Sequence, residues 1–428
     1  MNRLVSVFTP SNNPKFLNDL HDSLVKQSYK SWEWVVAANG DRADAVLATI
    51  NSFSDKRIRA FKVPNCYAGR IGYLKNLAAS ACHGEVLIEV DHDDWLVETC
   101  LEKIAVAYVE TGADFIYSQS LGIREDGTSE IYRKDHGWES GTHEFNGREY
   151  PVMLNFPIHP RSLAEIYYCP NHIRAWSAPC YNTIGGHDQS LAVADDHDLM
   201  CRTYIAGGKF HEIPEVLYYQ RRHNESVCAF DQPKIAQATR SLMNKYLHQL
   251  IYKWCSNEKL LMLDFGGAHN CPKEKGFLSV DLHSADVVCD VTKSIPFPAG
   301  KIGCIRAADF FEHIDRRNIV KLMNNIYSVL ADGGFVISDT PAIDDGNGNI
   351  GRGAFQDPTH LSQWSENNTW YFTIKHFADF IPEFRGRFQS VRLNTHYPSN
   401  WHIKHKIPYL TWDFMACKGR RLPGLMLI

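Results

Sequence analysis

Short apolar runs that alternate with helix-like segments constrain the fold of this chain more than any other feature. The runs LVSVFTP, WEWVVAANG and EVLIEV read as buried strands, and segments with apolar residues at helical spacing separate them. Strands that alternate with helices in this way form parallel, doubly wound sheets. A second series of the same kind begins with LLMLDFGG at residue 260. The sequence therefore predicts an α/β protein with two doubly wound domains.

The length of 428 residues is enough for two or three domains. We predict one domain in residues 1–229, a linking helix in residues 230–257 and a second domain in residues 258–428. The linking helix is indicated by apolar residues at roughly helical spacing from Ile235 to Trp254. Residues 118–180 are rich in aromatic residues, histidine and proline, and they break the strand–helix pattern. We expect a loop-rich insertion there.

Composition narrows the range of functions. The net charge of −4 argues against a nucleic-acid-binding protein that works by neutralising phosphates. No apolar run approaches the length needed to span a bilayer, and the first residues lack the apolar core of a signal peptide. The 12 cysteines are scattered, without a C-x-x-C pair, and are expected to be reduced thiols. We therefore expect a cytoplasmic protein without a membrane span.

The strand EVLIEV leads directly into Asp91, His92, Asp93 and Asp94. Ionised carboxylates this close repel one another, and burying them unpaired costs free energy, so a cation is expected beside them. Mn²⁺ and Mg²⁺ prefer carboxylates, water and phosphate oxygens as ligands. The alternative is a solvated acidic turn, in which Asp93 or Asp94 caps a helix that begins near Leu96.

Three segments resemble family-two, GT-A-type glycosyltransferases. VSVFTPSNNPKFLNDLHDSLVKQSYKSWEWVVAANGD is similar to the amino-terminal half of that family, and AGRIGYLKNLAASACHGEVLIEVDHDDWL is similar to the block that ends in its metal-binding D-x-D. IGGHDQSLAVADDHDLMCRTYIAGGKFHEIPEVLYYQRRHNESV resembles the carboxyl-terminal block, in which an acidic pair precedes x-D-L. The three blocks occur in the order of the family, and such an ordered set is more specific than one motif.

This resemblance implies inverting, metal-dependent transfer of a sugar from a nucleotide-sugar donor to a glycan acceptor. It implies that Asp91 and Asp93 bind Mn²⁺ or Mg²⁺. His223, which follows Arg221 and Arg222, is a further candidate for a metal or diphosphate ligand, and the alternative is a lone surface histidine. Of the pair Asp195 and Asp196, the second is implied to be the catalytic base, because a sugar hydroxyl needs a proton acceptor as it attacks. A charged helix start is the alternative for this pair.

The resemblance also implies contacts with the donor. They fall on Thr9, Pro10, Asn12, Asn39, Asp41, Arg70, Lys75, Asp91 and His92. Asn39 stands where the family often has an aspartate that hydrogen-bonds the base. The nucleotide of the donor therefore stays open between UDP, GDP and dTDP.

The second strand series resembles class I S-adenosylmethionine-dependent methyltransferases, which have a Rossmann-like fold. The resemblance lies in LLMLDFGGAHN, in VLADGGFVISDTP and in FQDPTHLSQWSENNTWYF. It implies S-adenosylmethionine contacts by Asp264, Gly266, Gly267, Asp281 and Asp290. His313 and His360 are weaker candidates for acid–base chemistry or for orienting the acceptor, and each can equally be a packing residue. Ala268 departs from the family pattern, which has a third glycine at this position.

Three hypotheses follow. The favoured one is a glycosyltransferase fused to a methyltransferase that methylates a sugar hydroxyl. In the second, the carboxyl-terminal domain is an inactive, methyltransferase-like module that recognises the substrate. In the third, both centres are inactive and the protein only binds carbohydrate or nucleotide. A transferase that modifies nucleic acid is disfavoured, because the sequence shows no basic, aromatic-lined face.

Overall fold

The computed structural model describes residues 3–129, 137–166, 169–223 and 232–419. The chain divides into two compact units, Met1–Leu250 and Ile251–Ile428. The boundary lies within a long helix, Gln232–Asn257, which covers most of the predicted linking segment. Each part of this helix packs within its own unit: Tyr246 donates a hydrogen bond to Asp198, and the Trp254 ring contacts Phe335 edge-on.

The first unit combines helices with an eight-stranded sheet and a separate hairpin. Its elements in chain order are β1 (Val5–Ser11), α1 (Leu17–Lys26), β2 (Trp32–Ala38), α2 (Ala43–Ser52), β3 (Ile58–Lys62), α3 (Ile71–Ser80), β4 (Val86–Glu89), β5 (Trp95–Leu96), α4 (Cys100–Thr111), β6 (Phe115–Arg124), β7 (Ser140–Phe145), β8 (Arg148–Met153), α5 (Pro160–Glu165), β9 (Arg174–Ser177), α6 (Ala178–Thr183), α7 (Asp195–Ile205) and β10 (Phe210–Arg222); the long helix Gln232–Asn257 is α8.

The large sheet has the strand order β3-β2-β1-β4-β9-β6-β10-β5. Strands β1 to β4 are parallel to one another, β9 is antiparallel to both β4 and β6, and β5 is antiparallel to β10. Every residue of β1, β2 and β4 is buried. Such continuous burial is typical of parallel strands that are covered on both faces, and it explains why their sequences are mostly apolar.

Two expectations differ from the structure of this unit. Residues 118–180 are not only a loop-rich insertion, since they include most of β6 and all of β9, two inner strands of the sheet. The helix expected near Leu96 begins later, because Leu96 belongs to β5 and α4 starts at Cys100. Neither Asp93 nor Asp94 is therefore the N-cap of that helix.

The second unit contains a seven-stranded mixed sheet. Its elements are β11 (Leu261–Phe265), β12 (Phe277–Asp281), β13 (Val287–Val288), β14 (Ile302–Ala308), α9 (Arg316–Val329), β15 (Leu330–Pro341), α10 (Gly353–Gln356), α11 (Glu366–Thr373), α12 (Lys375–Ala378), β16 (Phe388–His396), α13 (Asn400–His405) and β17 (Tyr409–Ala416). The strand order is β13-β12-β11-β14-β15-β17-β16. The first five strands in this order are parallel, and β17 is antiparallel to both of its neighbours.

The prediction of α/β architecture is confirmed for both units. In the second unit, buried apolar residues of β11, β14, β15 and β17 pack with the buried face of α9. The order of its parallel strands reverses at β11, which is the feature that creates a ligand crevice in doubly wound sheets.

Two general expectations concern thiols and membranes. None of the described cysteines forms a disulfide. None of the described helices combines the length and the apolar character that crossing a membrane requires.

Candidate active site

A cavity of about 790 Å³ lies in the first unit, at the carboxyl ends of its parallel strands. Ligands of open α/β sheets bind at this edge, because the loops that leave the strands gather there. The acids that line the cavity include Asp91, Asp93, Asp195 and Asp196. The Asp91–Asp93 and Asp195–Asp196 segments, more than 100 positions apart in the chain, thus line the same cavity.

Within the segment after β4, the acids have different partners. Asp94 is fully engaged by the protein, since Oδ2 accepts a hydrogen bond from the Tyr218 hydroxyl and Oδ1 accepts one from the Arg221 backbone, both at 2.7 Å. Asp93 Oδ2 lies 2.8 Å from His223 Nε2. The predicted metal ligands Asp93 and His223 are therefore neighbours, whereas Asp94 fixes the turn to β10.

The third acid of this segment, Asp91, carries a charge that the surrounding protein does not fully compensate. Burial raises its pKa to about 7, and the negative charges of Asp93 and Glu89 add to the effect, although the ammonium of Lys75 opposes it. A carboxyl in such a position gains from a nearby cation. The combination of two carboxylates and an imidazole suits a divalent ion of the Mn²⁺ or Mg²⁺ type.

Asp195 and Asp196 form the first turn of α7 but differ in exposure. The Asp196 side chain is 17% exposed and forms a salt bridge with the buried guanidinium of Arg174, whereas Asp195 is only 3% exposed. Burial raises the pKa of Asp196, but the positive charges of Arg174 and Lys75 outweigh this effect and the pKa is lowered. Asp196 is therefore an ionised carboxylate that reaches the cavity.

Asp195 instead belongs to a buried polar network. Its Oδ2 lies 3.5 Å from Lys75 Nζ and 3.6 Å from His187 Nε2, and no residue in the described part of the chain forms a hydrogen bond with this oxygen. Burial is the main reason that its pKa is raised. Lys75 donates to Glu89 at 2.7 Å, and His187 lies 3.1 Å from the other oxygen of Glu89. The network joins β4 and α3 to the start of α7.

A glycine allows α3 to approach this network closely. A Cβ atom on Gly72 would lie 2.0 Å from the carbonyl oxygen of Asp188 and 3.2 Å from that of Leu191. Only a residue without a side chain fits there. Gly72 is one turn of α3 before Lys75, so the same close approach positions the Lys75 ammonium beside Asp195.

The structure places most of the residues predicted to bind the donor around the cavity. Those that line it are Pro10, Asn12, Asn39, Asp41, Lys75, Asp91 and His92. Thr9 does not line it, because its side chain is buried and accepts a hydrogen bond from Trp34 at 3.0 Å. Arg70 is exposed and lies near the Tyr67 ring, while its neighbours Gly69 and Ile71 line the cavity.

Among the lining residues that sequence reasoning missed are Glu89, His172 and Arg174. Burial lowers the pKa of His172 to about 3, and Arg174 adds to this effect, so the imidazole is neutral. A charged residue inside an otherwise apolar run is a signal that was available for Glu89. Arg174 has no such signal, since its strand β9 was not recognised.

In the second unit, the residues predicted to bind S-adenosylmethionine lie near the carboxyl ends of β11, β12 and β13. Asp264 is buried and accepts a hydrogen bond from Arg306 at 2.7 Å. Gly266 has a φ of +71°, and a Cβ on Gly267 would lie 2.5 Å from Asp264 Oδ2. The turn after β11 therefore requires both glycines.

The other two predicted acids hold local turns. Asp281 accepts a hydrogen bond from the Leu282 backbone at 2.6 Å. Asp290 accepts from the Thr292 hydroxyl at 2.6 Å and lies 3.2 Å from the Lys293 ammonium. The two predicted histidines, His313 and His360, are neighbours, with ring centroids 5.0 Å apart.

Comparison with known proteins bears on the first unit. Residues 6–165 match the sequence profile described as Glycosyl transferase family 2. The amino-terminal part of the chain contains a family 2 glycosyltransferase domain. This domain has the predicted GT-A-like α/β character. It contains the Asp91–Asp94 segment, helix α3, and the strands β4 and β6, which both pair with β9.

Relatives of the glycosyltransferase domain are distant in sequence. The chain is 23% identical over 247 residues to glycosyltransferase GlyG of Streptococcus pneumoniae. This alignment covers 53% of this chain and 73% of GlyG. It is 22% identical over 229 residues to chondroitin synthase of Escherichia coli, covering 52% of this chain but 29% of that enzyme. The crystal structure of residues 1–349 of Staphylococcus aureus TarS aligns with a TM-score of 0.42 and 17% identity, over 59% of this chain and 72% of that one.

The family 2 profile and the sequence relatives favour sugar transfer over a protein that only binds carbohydrate or nucleotide. They give no support to the predicted methyltransferase domain or to S-adenosylmethionine as a cofactor. Both stay predictions.

Proposed function

We propose that the protein transfers a sugar from a nucleoside-diphosphate sugar to a hydroxyl group of a glycan acceptor, with inversion at the sugar carbon. One observation carries the proposal: the pair Asp91 and Asp93 and the pair Asp195 and Asp196 line the same cavity. The first pair suits the phosphate side of a donor, and the second suits the hydroxyl that attacks. The choice between UDP, GDP and dTDP stays open, and so does the sugar.

Asp196 is the proposed catalytic base. It is ionised and exposed to the cavity, so it can accept the proton of a sugar hydroxyl as that hydroxyl attacks. Arg174 holds one of its oxygens and orients the carboxylate. Asp195 is the proposed positioning residue, because its contacts are with buried Lys75 and His187.

Asp91, Asp93 and His223 would hold a Mn²⁺ or Mg²⁺ ion. Their donor set fits such an ion, and burial, with the nearby charges of Asp93 and Glu89, raises the pKa of Asp91, which a bound cation would offset. A divalent ion bound there supplies positive charge next to the leaving diphosphate. Lys75 adds a permanent positive charge at the same wall of the cavity.

Donor hydrolysis tests this proposal without knowledge of the acceptor. Purified protein is incubated with a panel of UDP-, GDP- and dTDP-sugars, with Mn²⁺ or with a chelator, and the released nucleotide is measured. We expect Mn²⁺-dependent release from at least one donor, lost in the variant Asp91→Asn/Asp93→Asn and retained in the exposed control Asp22→Asn. Equal release by the double variant would contradict the assignment of the metal site.

A second proposal concerns the carboxyl-terminal unit, which we infer to bind S-adenosylmethionine and to methylate a sugar hydroxyl. It is supported by the glycine turn after β11 and by Asp281 at the end of β12, beside the point where the strand order reverses. Asp264 and Asp290 are the weaker part of the proposal, since Arg306 and Thr292 already engage them. An inactive, substrate-recognising unit is the alternative.

Calorimetry on the full chain distinguishes these possibilities. We expect S-adenosylmethionine and S-adenosylhomocysteine to bind, and Asp281→Ala to weaken binding by roughly 1.5–3 kcal/mol for each lost charge-assisted hydrogen bond. Ala268→Gly, which restores the family residue, should bind equally well or better. The exposed control Asp379→Ala should match the wild type. Absence of heat with both the wild type and Ala268→Gly would rule out methyl transfer from this cofactor.

A further inference from the structure

Glu312, His313 and His360 lie together in the second unit. One carboxylate oxygen of Glu312 and one ring nitrogen of each histidine lie within 4.8 Å of one another. Glu312 and His313 belong to a short turn, Phe311–His313, which follows β14. His360 comes from the loop between α10 and α11, so the cluster joins two distant segments of the chain.

Backbone hydrogen bonds hold these two segments together. The carbonyl oxygen of Glu312 accepts hydrogen bonds from the backbone N–H groups of Leu361 at 2.7 Å and of Ser362 at 3.0 Å. The Ser362 hydroxyl donates to the Phe311 carbonyl at 2.8 Å. The backbone structure therefore holds the three side chains close together.

The Glu312 carboxylate is buried, with 1% of the residue exposed. Its Oε2 accepts a hydrogen bond from the Thr340 hydroxyl at 2.7 Å, but the buried Oε1 has no hydrogen-bond partner among the described residues. A buried carboxylate oxygen without a partner costs free energy unless another group compensates it. This oxygen is an independent indication that the cluster receives a ligand.

Hydrogen bonds also fix the protons of both imidazole rings. Nδ1 of His313 lies 3.3 Å from the Thr359 carbonyl oxygen and 3.1 Å from the Thr359 hydroxyl, which itself donates to Asp357. Nδ1 of His360 lies 3.3 Å from the Ala354 carbonyl oxygen. A carbonyl oxygen only accepts, so Nδ1 must donate in both contacts. The neutral rings then carry their free lone pairs on Nε2, and this arrangement is usual for histidines that bind a metal.

We propose that Glu312, His313 and His360 form a binding site for a divalent first-row transition-metal ion, such as Zn²⁺. Two imidazoles and one carboxylate suit Zn²⁺ or Fe²⁺ better than Mg²⁺ or Ca²⁺, which prefer oxygen ligands. Three protein ligands leave coordination positions open, as in catalytic and not in closed structural sites. This site is distinct from the acids of the glycosyltransferase domain and does not depend on the proposed activities.

The cluster allows its ligand atoms to adjust around a bound ion. Zinc binds nitrogen and oxygen at about 2.0–2.2 Å, so ligand atoms around one ion lie closer together than 4.8 Å. His313 is exposed and its side chain can make this adjustment. Asp357 Oδ2, at 3.9 Å from His360 Nε2, is near enough to accept a hydrogen bond from a water on the ion after a small movement.

Zinc titration of the full-length protein tests the proposal. The stoichiometry and affinity for Zn²⁺ are measured with a chromophoric competitor, and Co²⁺ absorption reports on the coordination. His313→Ala changes an exposed residue. We expect it to lower the affinity for one equivalent of Zn²⁺ by at least ~100-fold, which is the upper end of the effect of losing a residue that only supports a metal ligand. His376→Ala, which removes an exposed histidine elsewhere in the same unit, should bind as the wild type does.

Glu312→Gln keeps the shape of the buried side chain and removes its charge, so it should also lose this equivalent. Melting temperature provides a second readout, because an ion that binds only the folded state raises it. Zn²⁺ should raise the melting temperature of the wild type and of His376→Ala by more than that of His313→Ala. The proposal is overturned if wild type and His313→Ala bind the same number of Zn²⁺ ions with equal affinity, or if the wild type binds neither Zn²⁺ nor Co²⁺.

Discussion

At the scale of single residues, two adjacent acids at the start of α7 have different surroundings. Asp196 reaches the cavity beside Arg174, whereas Asp195 is buried against Lys75. We predict that Asp196→Asn keeps donor affinity but lowers sugar transfer by at least ~10²-fold, the usual contribution of a general base. Initial rates of transfer and the dissociation constant of the donor are the measurements. An active Asp196→Asn beside an inactive Asp195→Asn would reverse the assignment within the pair.

The raised pKa of Asp91 predicts a dependence of stability on pH. Its pKa of about 7, against an ordinary value of 3.8, means that folding favours the protonated form. The resulting stabilisation is complete below about pH 4 and is lost as the pH rises through 7. Without metal, the wild type should therefore be less stable at pH 8 than Asp91→Asn, by at most a figure on the order of 4 kcal/mol.

Melting temperatures at pH 5 and pH 8, with a chelator and with Mn²⁺, check this prediction. Mn²⁺ should stabilise the wild type at pH 8 and have little effect on Asp91→Asn. Asp41→Asn is the matched control, because it removes an exposed acid from the same cavity. Wild type and Asp91→Asn with the same pH dependence would show that Asp91 titrates normally.

Several of the residues that the sequence indicated lie at the ends of recognisable strands. Asp91 and Asp93 follow an apolar run, so their position at the sheet edge could be expected before the structure was known. Arg174 could not be expected there, because β9 is only four residues long and was not recognised as a strand. Its pairing with Asp196 depends on tertiary contacts that no local pattern encodes.

At the scale of elements, parallel strands and antiparallel strands differed in how well they could be predicted. Strands β1, β2 and β4 are buried along their whole length and appear as apolar runs. Strand β9 has the sequence RAWS and lies between β4 and β6. Its first residue, Arg174, is charged and forms a salt bridge with Asp196. Such a segment becomes a strand only because two longer strands pair with it.

The close approach of α3 predicts the effect of one substitution. Gly72→Ala would bring a methyl group to 2.0 Å from the Asp188 carbonyl oxygen, so the helix or the 188–191 segment must move. We expect a loss of stability of about 1–3 kcal/mol, as for other overpacked sites, and weaker donor binding because Lys75 moves with the helix. Chemical denaturation and donor titration measure the two effects. Ser80→Ala, an exposed change on the same helix, should leave both unchanged, and an unaffected Gly72→Ala would contradict the role of this contact.

At the scale of the whole molecule, the two proposed activities use residues from different units. We predict that Asp91→Asn/Asp93→Asn abolishes Mn²⁺-dependent hydrolysis of the donor and leaves S-adenosylmethionine binding unchanged. Asp281→Ala should weaken S-adenosylmethionine binding and leave Mn²⁺-dependent hydrolysis of the donor unchanged. The two measurements are made on the same preparations of the full chain. A substitution in one unit that removes both functions would contradict their separation.

The position of β17 in its sheet affects how the second unit can be made in the cell. This strand pairs on one side with β15 and on the other with β16, although it follows both in the chain. During synthesis on the ribosome, β15 and β16 emerge first. Until β17 has left the exit tunnel, β15 has only β14 beside it and β16 has no neighbouring strand. Their unpaired edges are open to contacts with other nascent chains during that interval. The second unit therefore completes its sheet late, and chaperones that cover exposed strand edges should matter most for this part of the protein.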